Sequence, residues 1–132
     1  MAVAFRMTVT GLPLVQDALR RVGRNAPTAL ARALTEEAEE IIGESKLEVP
    51  VKTGALRASG VVLPTVIAFG GAVTVEAGYG GPAAPYALAV HENLGISHSP
   101  PTKAKYLEDP FNRAMADFER RVADKIVLRG VS

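Results

Sequence analysis

The residue pattern predicts an α+β fold: a small antiparallel sheet of three to four strands, with a long helix and a C-terminal helix packed on one face. Three observations predict it. Val3, Phe5, Met7 and Val9 alternate with a period of two, as the buried face of a strand does. Leu30, Leu34, Ala38, Ile41 and Ile42 recur at helical spacing along a run that Pro50 closes. Phe111, Met115, Phe118, Val122 and Ile126 repeat the three- and four-residue step near the C-terminus. The order strand, helix, helix, strand, strand, helix suits helices laid on one face of a small sheet.

Each element has its punctuation. Gly11 ends the first strand, and Pro13 suits the first turn of a short helix, where a missing N–H costs nothing. Val15, Ala18, Leu19 and Val22 form that helix's stripe, and Gly23 stops it. Asn25 is an N-cap for the long helix, with Pro27 close behind. Its stripe faces the core, and Glu36, Glu37, Glu39, Glu40 and Glu44 make its other side acidic.

Beyond Pro50, residues Leu56–Ile67 and Ala72–Ala77 are valine-rich, with Gly70 and Gly71 between them. This predicts an antiparallel pair joined by a glycine turn. Pro64 makes the first of these strands an edge or a bulged strand. Gly78 to Pro85 reads as a glycine-proline loop, Pro85 to Glu92 as a short helix and Asn93 to Lys103 as an irregular loop. Asp109 as N-cap and Pro110 at the first helical position open the last helix, with Arg113, Arg120 and Arg121 off its stripe.

Composition narrows the function. The 132 residues suit one domain, residues 1–132. Hydrophobic residues are 48% and charged residues 22%, the balance of a globular chain. Fifteen basic against 14 acidic residues argue against a dedicated nucleic-acid binder, which needs surplus positive charge. Without cysteine there is no disulfide, thiolate ligand or thiol nucleophile. The short apolar start, cut by Arg6, is no signal peptide, and no apolar run spans a bilayer. These features predict a soluble chain made in the cytoplasm.

No motif predicts catalysis. His91-Glu92 lacks the second histidine of a zinc-protease motif, since position 95 is Gly95. His98 is the other histidine, and two histidines without ligand spacing make a poor metal site. His91 therefore reads as a hydrogen-bonded residue on or near the surface. Ser59 lacks a nucleophile elbow and reads as an ordinary strand serine. The glycines from Gly78 to Gly81 are followed by Pro82 rather than the lysine of a phosphate loop. Arg20, Arg21 and Arg24 form a small basic cluster whose ordinary reading is a solvated surface.

Three stretches stand out: Val49-Pro50-Val51-Lys52-Thr53-Gly54-Ala55-Leu56-Arg57-Ala58-Ser59, Tyr86-Ala87-Leu88-Ala89-Val90-His91-Glu92-Asn93, and Ala104-Lys105-Tyr106-Leu107-Glu108-Asp109-Pro110. In this order, and over nearly the whole chain, they resemble the tail-completion or neck proteins of long-tailed double-stranded-DNA phages. Lys52 departs from the pattern, standing where many relatives carry an acidic residue.

The resemblance implies a non-enzymatic virion protein without cofactor or metal, assembled in the host cytoplasm. It implies a homo-oligomeric ring, commonly sixfold, that joins head-completion or connector proteins to the tail terminator and tube, without a membrane. Genomic DNA passes through the lumen without sequence-specific contact. Thr53, Gly54, Leu56, Arg57, Tyr86, His91, Glu92 and Tyr106 are the candidate contacts to other subunits. Glu36, Glu37, Glu39 and Glu40 are the candidate channel-lining residues. On physical grounds Thr53-Gly54 makes the turn, Leu56 starts a strand on its buried face with Arg57 pointing away, Tyr86 packs on Val90, and Tyr106 with Leu107 anchors the last helix. The alternatives are a head-completion adaptor, and a small nucleic-acid-binding or hydrolytic protein of the packaging machinery.

Overall fold

Strand β1, Val3–Val9, buries every second residue, and its partner β4, Val73–Tyr79, buries Val73, Val75, Ala77 and Tyr79 on the same face. A computed structural model of the chain describes residues 2–9, 12–50, 54–67, 72–81, 84, 87–92 and 105–130. The two strands are antiparallel, with Val3 opposite Tyr79 and Val9 opposite Val73. The other face of this pair is polar: Arg6 pairs with Glu76 at 3.2 Å, and the Thr8 and Thr74 hydroxyls lie 2.7 Å apart. Ala4 faces Gly78 across the ladder, and there a side chain has no room. A Cβ on Gly78 would lie 2.0 Å from the Val3 carbonyl oxygen.

The helices cover the apolar face. Helix α1, Pro13–Val22, buries Val15 and Ala18 and stops at Gly23, whose φ of 60° suits glycine. A turn of 3₁₀ helix, Gly23–Asn25, leads into α2, Ala26–Glu48. Asn25 holds the N-cap place, but its side chain makes no capping hydrogen bond. The predicted stripe of α2 is buried, and Ala29 and Ala33 join it. α2 lies against β4 and against α6, Phe118–Gly130, and α1 packs on α6.

The valine-rich stretch after Pro50 departs from expectation. Residues Ala55–Ala58 form one helical turn, α3, entered through Gly54 at φ 83°. Leu56 is buried there in a helix rather than in a strand, and Ser59 caps the turn by donating to the Leu56 carbonyl at 2.7 Å. Only β2, Val61–Val62, and β3, Val66–Ile67, remain extended, and both pair antiparallel with β4. Pro64 lies between them, because a residue without an N–H cannot hold a ladder place. β4 is thus central, with β1 on one side and β2 and β3 on the other. Gly78 and Tyr79 belong to β4, so the glycine loop begins at Gly80. The turn at Gly70-Gly71 and the loop from Asn93 to Lys103 lie outside the described residues.

Helix α4, Ala87–Glu92, forms as expected. The last predicted helix is two helices. α5, Glu108–Ala114, starts one residue before Asp109, with Leu107 in the N-cap place. Asp117, at φ 56°, separates it from α6. Aspartate tolerates that conformation better than most residues. The break turns Met115 outward, to 37% exposed, while Val122 and Ile126 stay fully buried. Arg121 bridges the break by donating to the carbonyls of Ala114 and Ala116, which the end of α5 leaves without helical partners.

The same Arg121 binds Glu37, so the acidic side of α2 also differs from expectation. Glu37 is 1% exposed and faces inward, where Arg121 and Lys125 both donate to it. Burial would lower the pKa of Lys125, but its hydrogen bonds to Glu37 and Glu40 hold it above the ordinary lysine value. A buried carboxylate is tolerated only with such partners, and removing it leaves two cations facing each other. Glu37→Ala is expected to lower the unfolding free energy by about 3 kcal/mol in urea titration. Gly78→Ala, which forces β1 off β4, is expected to cost about 2–3 kcal/mol in the same assay.

Candidate functional site

The three sequence motifs meet at one end of the sheet, around the last residue of β4. The Tyr79 ring is fully buried, and its hydroxyl donates to Ser45 of α2 at 2.8 Å. Ser45 in turn donates to the backbone carbonyl of Tyr106 at 2.6 Å. The rings of Tyr79 and Tyr106 meet edge-on, with centroids 5.1 Å apart. The Tyr106 hydroxyl continues to the carbonyl of Ala87 in α4, at 2.7 Å. Burial pushes the Tyr79 phenol up to about 12, against the opposing pull of the Ser45 hydrogen bond and the nearby Arg57 charge.

Glycine makes room for this ring. A Cβ on Gly60 would sit 2.6 Å from the edge of Tyr79. Beside it, Ser59 accepts from the Gly80 amide at 3.1 Å and so ties the turn of α3 to the end of β4. Ser59 is therefore a junction between the first motif and the end of β4, not an ordinary strand serine. Arg57, half-buried on α3, has a buried Nε without a hydrogen-bond partner among the described residues.

His91 joins the second motif to the third. It is buried rather than near the surface, and both ring nitrogens are used. The Glu108 amide donates to Nε2 at 3.2 Å, which places the ring proton on Nδ1, 2.8 Å from a Glu92 carboxylate oxygen. The ring thereby serves one of the unpaired amides that open α5, the task expected of Asp109. The Lys105 amide donates to the His91 carbonyl at 2.7 Å, and the Lys105 ammonium pairs with Glu92 and Glu108. Lys105 and then His91 hold the Glu92 carboxyl below its ordinary range, and Glu92 above all raises Lys105.

Of the candidate contacts, Leu56, His91 and Tyr106 are thus buried within the chain, Gly54 turns the backbone into α3, and Glu92 and Arg57 keep exposed atoms. Thr53 and Tyr86 lie outside the described residues, so the packing of Tyr86 on Val90 does too. Along α2, Glu39 and Glu40 are exposed, Glu36 is half-buried and Glu37 is withdrawn into the core. Sequence reasoning missed Ser45 and Tyr79. Ser45 continues the spacing of Leu34, Ala38 and Ile41, and a hydroxyl on an apolar stripe marks a buried acceptor.

A groove of about 460 Å³ runs beside the outer edge of β1, between Ala2–Phe5 and Leu88, His91, Leu107 and Phe111. Its acidic wall, Glu92 and Glu108, is already engaged by His91 and Lys105. The arrangement is a clamp: hydroxyls, ring nitrogens and charges are bound to one another and to backbone. No family model matches the chain, and no curated protein or solved structure is significantly similar to it.

Tyr79→Phe is expected to cost about 1–2 kcal/mol, because Ser45 loses its donor in a buried place. The raised Tyr79 pKa also has a sign. An unfolded tyrosine ionises near 10, whereas the folded one holds its proton to about 12. Its contribution is complete below pH 10 and is lost as pH climbs toward 12. Unfolding followed across that window should show a steeper loss for the native chain than for Tyr79→Phe.

Proposed function

We propose that this chain is a structural subunit of the neck of a long-tailed double-stranded-DNA phage, a tail-completion protein. In this reading, copies form a ring that joins head-completion proteins to the tail terminator and tube, and DNA passes through its centre. The resemblance carried by the three ordered motifs supplies the place in the particle. The observation that carries the reading from the fold is the outer edge of the sheet. Val61, Leu63, Val66 and Ile67 leave an apolar strip there, with Val66 at 62% exposed and Ile67 at 50%. An open edge with apolar side chains is a surface for another chain.

The clamp supports the same reading over an enzymatic one. Groups that would be candidates for proton transfer, such as His91 and Tyr79, are spent on holding elements together. What the chain offers outward is shape and charge.

The experiment is genetic and structural. Particles made without this chain should accumulate as separate DNA-filled heads and finished tails, and labelled chain should map to the junction in native virions. Val66→Lys with Ile67→Lys should fold and yet fail to restore joined particles. Complete, infectious virions lacking the polypeptide would end the reading, and a label on the capsid side alone would favour a head-completion adaptor.

A further inference from the structure

The helix layer carries a second groove, of about 610 Å³, away from the sheet edge. Ile41, Gly43 and Leu47 of α2 and Ala114 of α5 give it an apolar floor. Leu47 is 65% exposed, and the space above Gly43 is open. The cations at the groove are already committed: Arg121 and Lys125 to Glu37, and Arg113 to Glu48. That leaves the rim acidic. Glu40 shares Lys125 and stays mostly exposed, and Glu44 is exposed and forms no ion pair among the described residues, so the lining sets the carboxylates of Glu37, Glu40 and Glu44 against the guanidinium groups of Arg113 and Arg121.

The complementary surface lies on α1 and the turn after it. Leu14 is 48% exposed, and Arg20, Arg21 and Arg24 are exposed beyond it. Two carboxylates share this ridge: Asp17, 3.7 Å from Arg20, and Glu119 of α6, which accepts from the Leu14 amide at 3.0 Å. Arg21 and Arg24 form no ion pair among the described residues. One surface is thus an apolar floor with a negative rim, and the other an apolar knob with a positive flank. They lie on different elements.

We propose that the arginine ridge of α1 in one copy docks into the acidic-rimmed α2 groove of the next copy. The contact is head-to-tail, the type that closes into a ring when its rotation permits. It rests on the reading of the chain as an assembling subunit and names the surfaces through which copies meet. It also puts Glu40, one of the candidate channel-lining residues, between subunits rather than in the channel. Opposite charge sets the register, and the apolar residues exclude water.

The chain has no cysteine, so introduced thiols report one contact at a time. Asp17→Cys and Gly43→Cys copies are mixed with a short bis-maleimide, and Thr8→Cys on the polar sheet face replaces Asp17→Cys as control. The expected result is heterodimer formation about tenfold faster than with the control, as two exposed ion pairs would give. High salt should abolish the excess. Arg21→Glu with Arg24→Glu on the Asp17→Cys copy should do the same, and Glu40→Lys with Glu44→Lys on its mate should restore it. A rate equal to the control, or one indifferent to salt and charge reversal, overturns the contact. Chain found at the neck despite that result would sink the contact alone, whereas cross-linked copies absent from particles would sink the neck reading alone.

Discussion

A phenol sealed from water must find a hydrogen-bond partner, and Tyr79 finds one only because α2, β4 and the turn before α5 sit where they do. The chain from Tyr79 through Ser45 to the Tyr106 carbonyl fixes the spacing of three segments far apart in sequence. Much of the surrounding detail answers to it. Gly60 is bare because the Tyr79 ring lies over it. Lys105 takes a positive φ in the turn that carries Tyr106, and its amide reaches the end of α4. Buried polar chains of this kind penalise every misplacement, since each broken link leaves a group unsatisfied.

At another point along α2, Glu37 performs the equivalent task toward α6. Its carboxylate gathers Arg121 and Lys125, and Arg121 goes on to the open end of α5. The long helix is therefore held by a hydroxyl at Ser45 and by a charge at Glu37, with aliphatic side chains between. A scaffold fastened in this way can present loops, edges and charged ridges in fixed positions.

Periodicity made the regular elements legible. Strand β1, helices α1 and α2, and the position of α4 follow from alternation, helical stripes, Gly23 and Pro50. The sheet face and the helix layer follow from the same patterns. What was not legible depends on contacts across the chain. The valines after Gly54 suggest a strand, but Leu56 gains more from burial in a helical turn whose cap, Ser59, also serves Gly80. The stripe from Phe111 to Ile126 hides the break at Asp117, which the long reach of Arg121 stabilises together with local backbone hydrogen bonds. Asp109 looked like a cap, yet the imidazole of His91 took that place from a different helix. Glu37 counted as surface by composition, though its spacing from Leu34 and Ile41 puts it on the buried stripe.

Pro64 divides the outer margin of the sheet into β2 and β3, each two residues long, with the Leu63 amide still bound to Glu76 of β4. A visiting strand therefore meets no unbroken row of donors and acceptors. Runaway fibre growth by strand upon strand needs that row, and here it is interrupted at its middle. The margin can stay apolar while remaining too short to template an endless stack of strands.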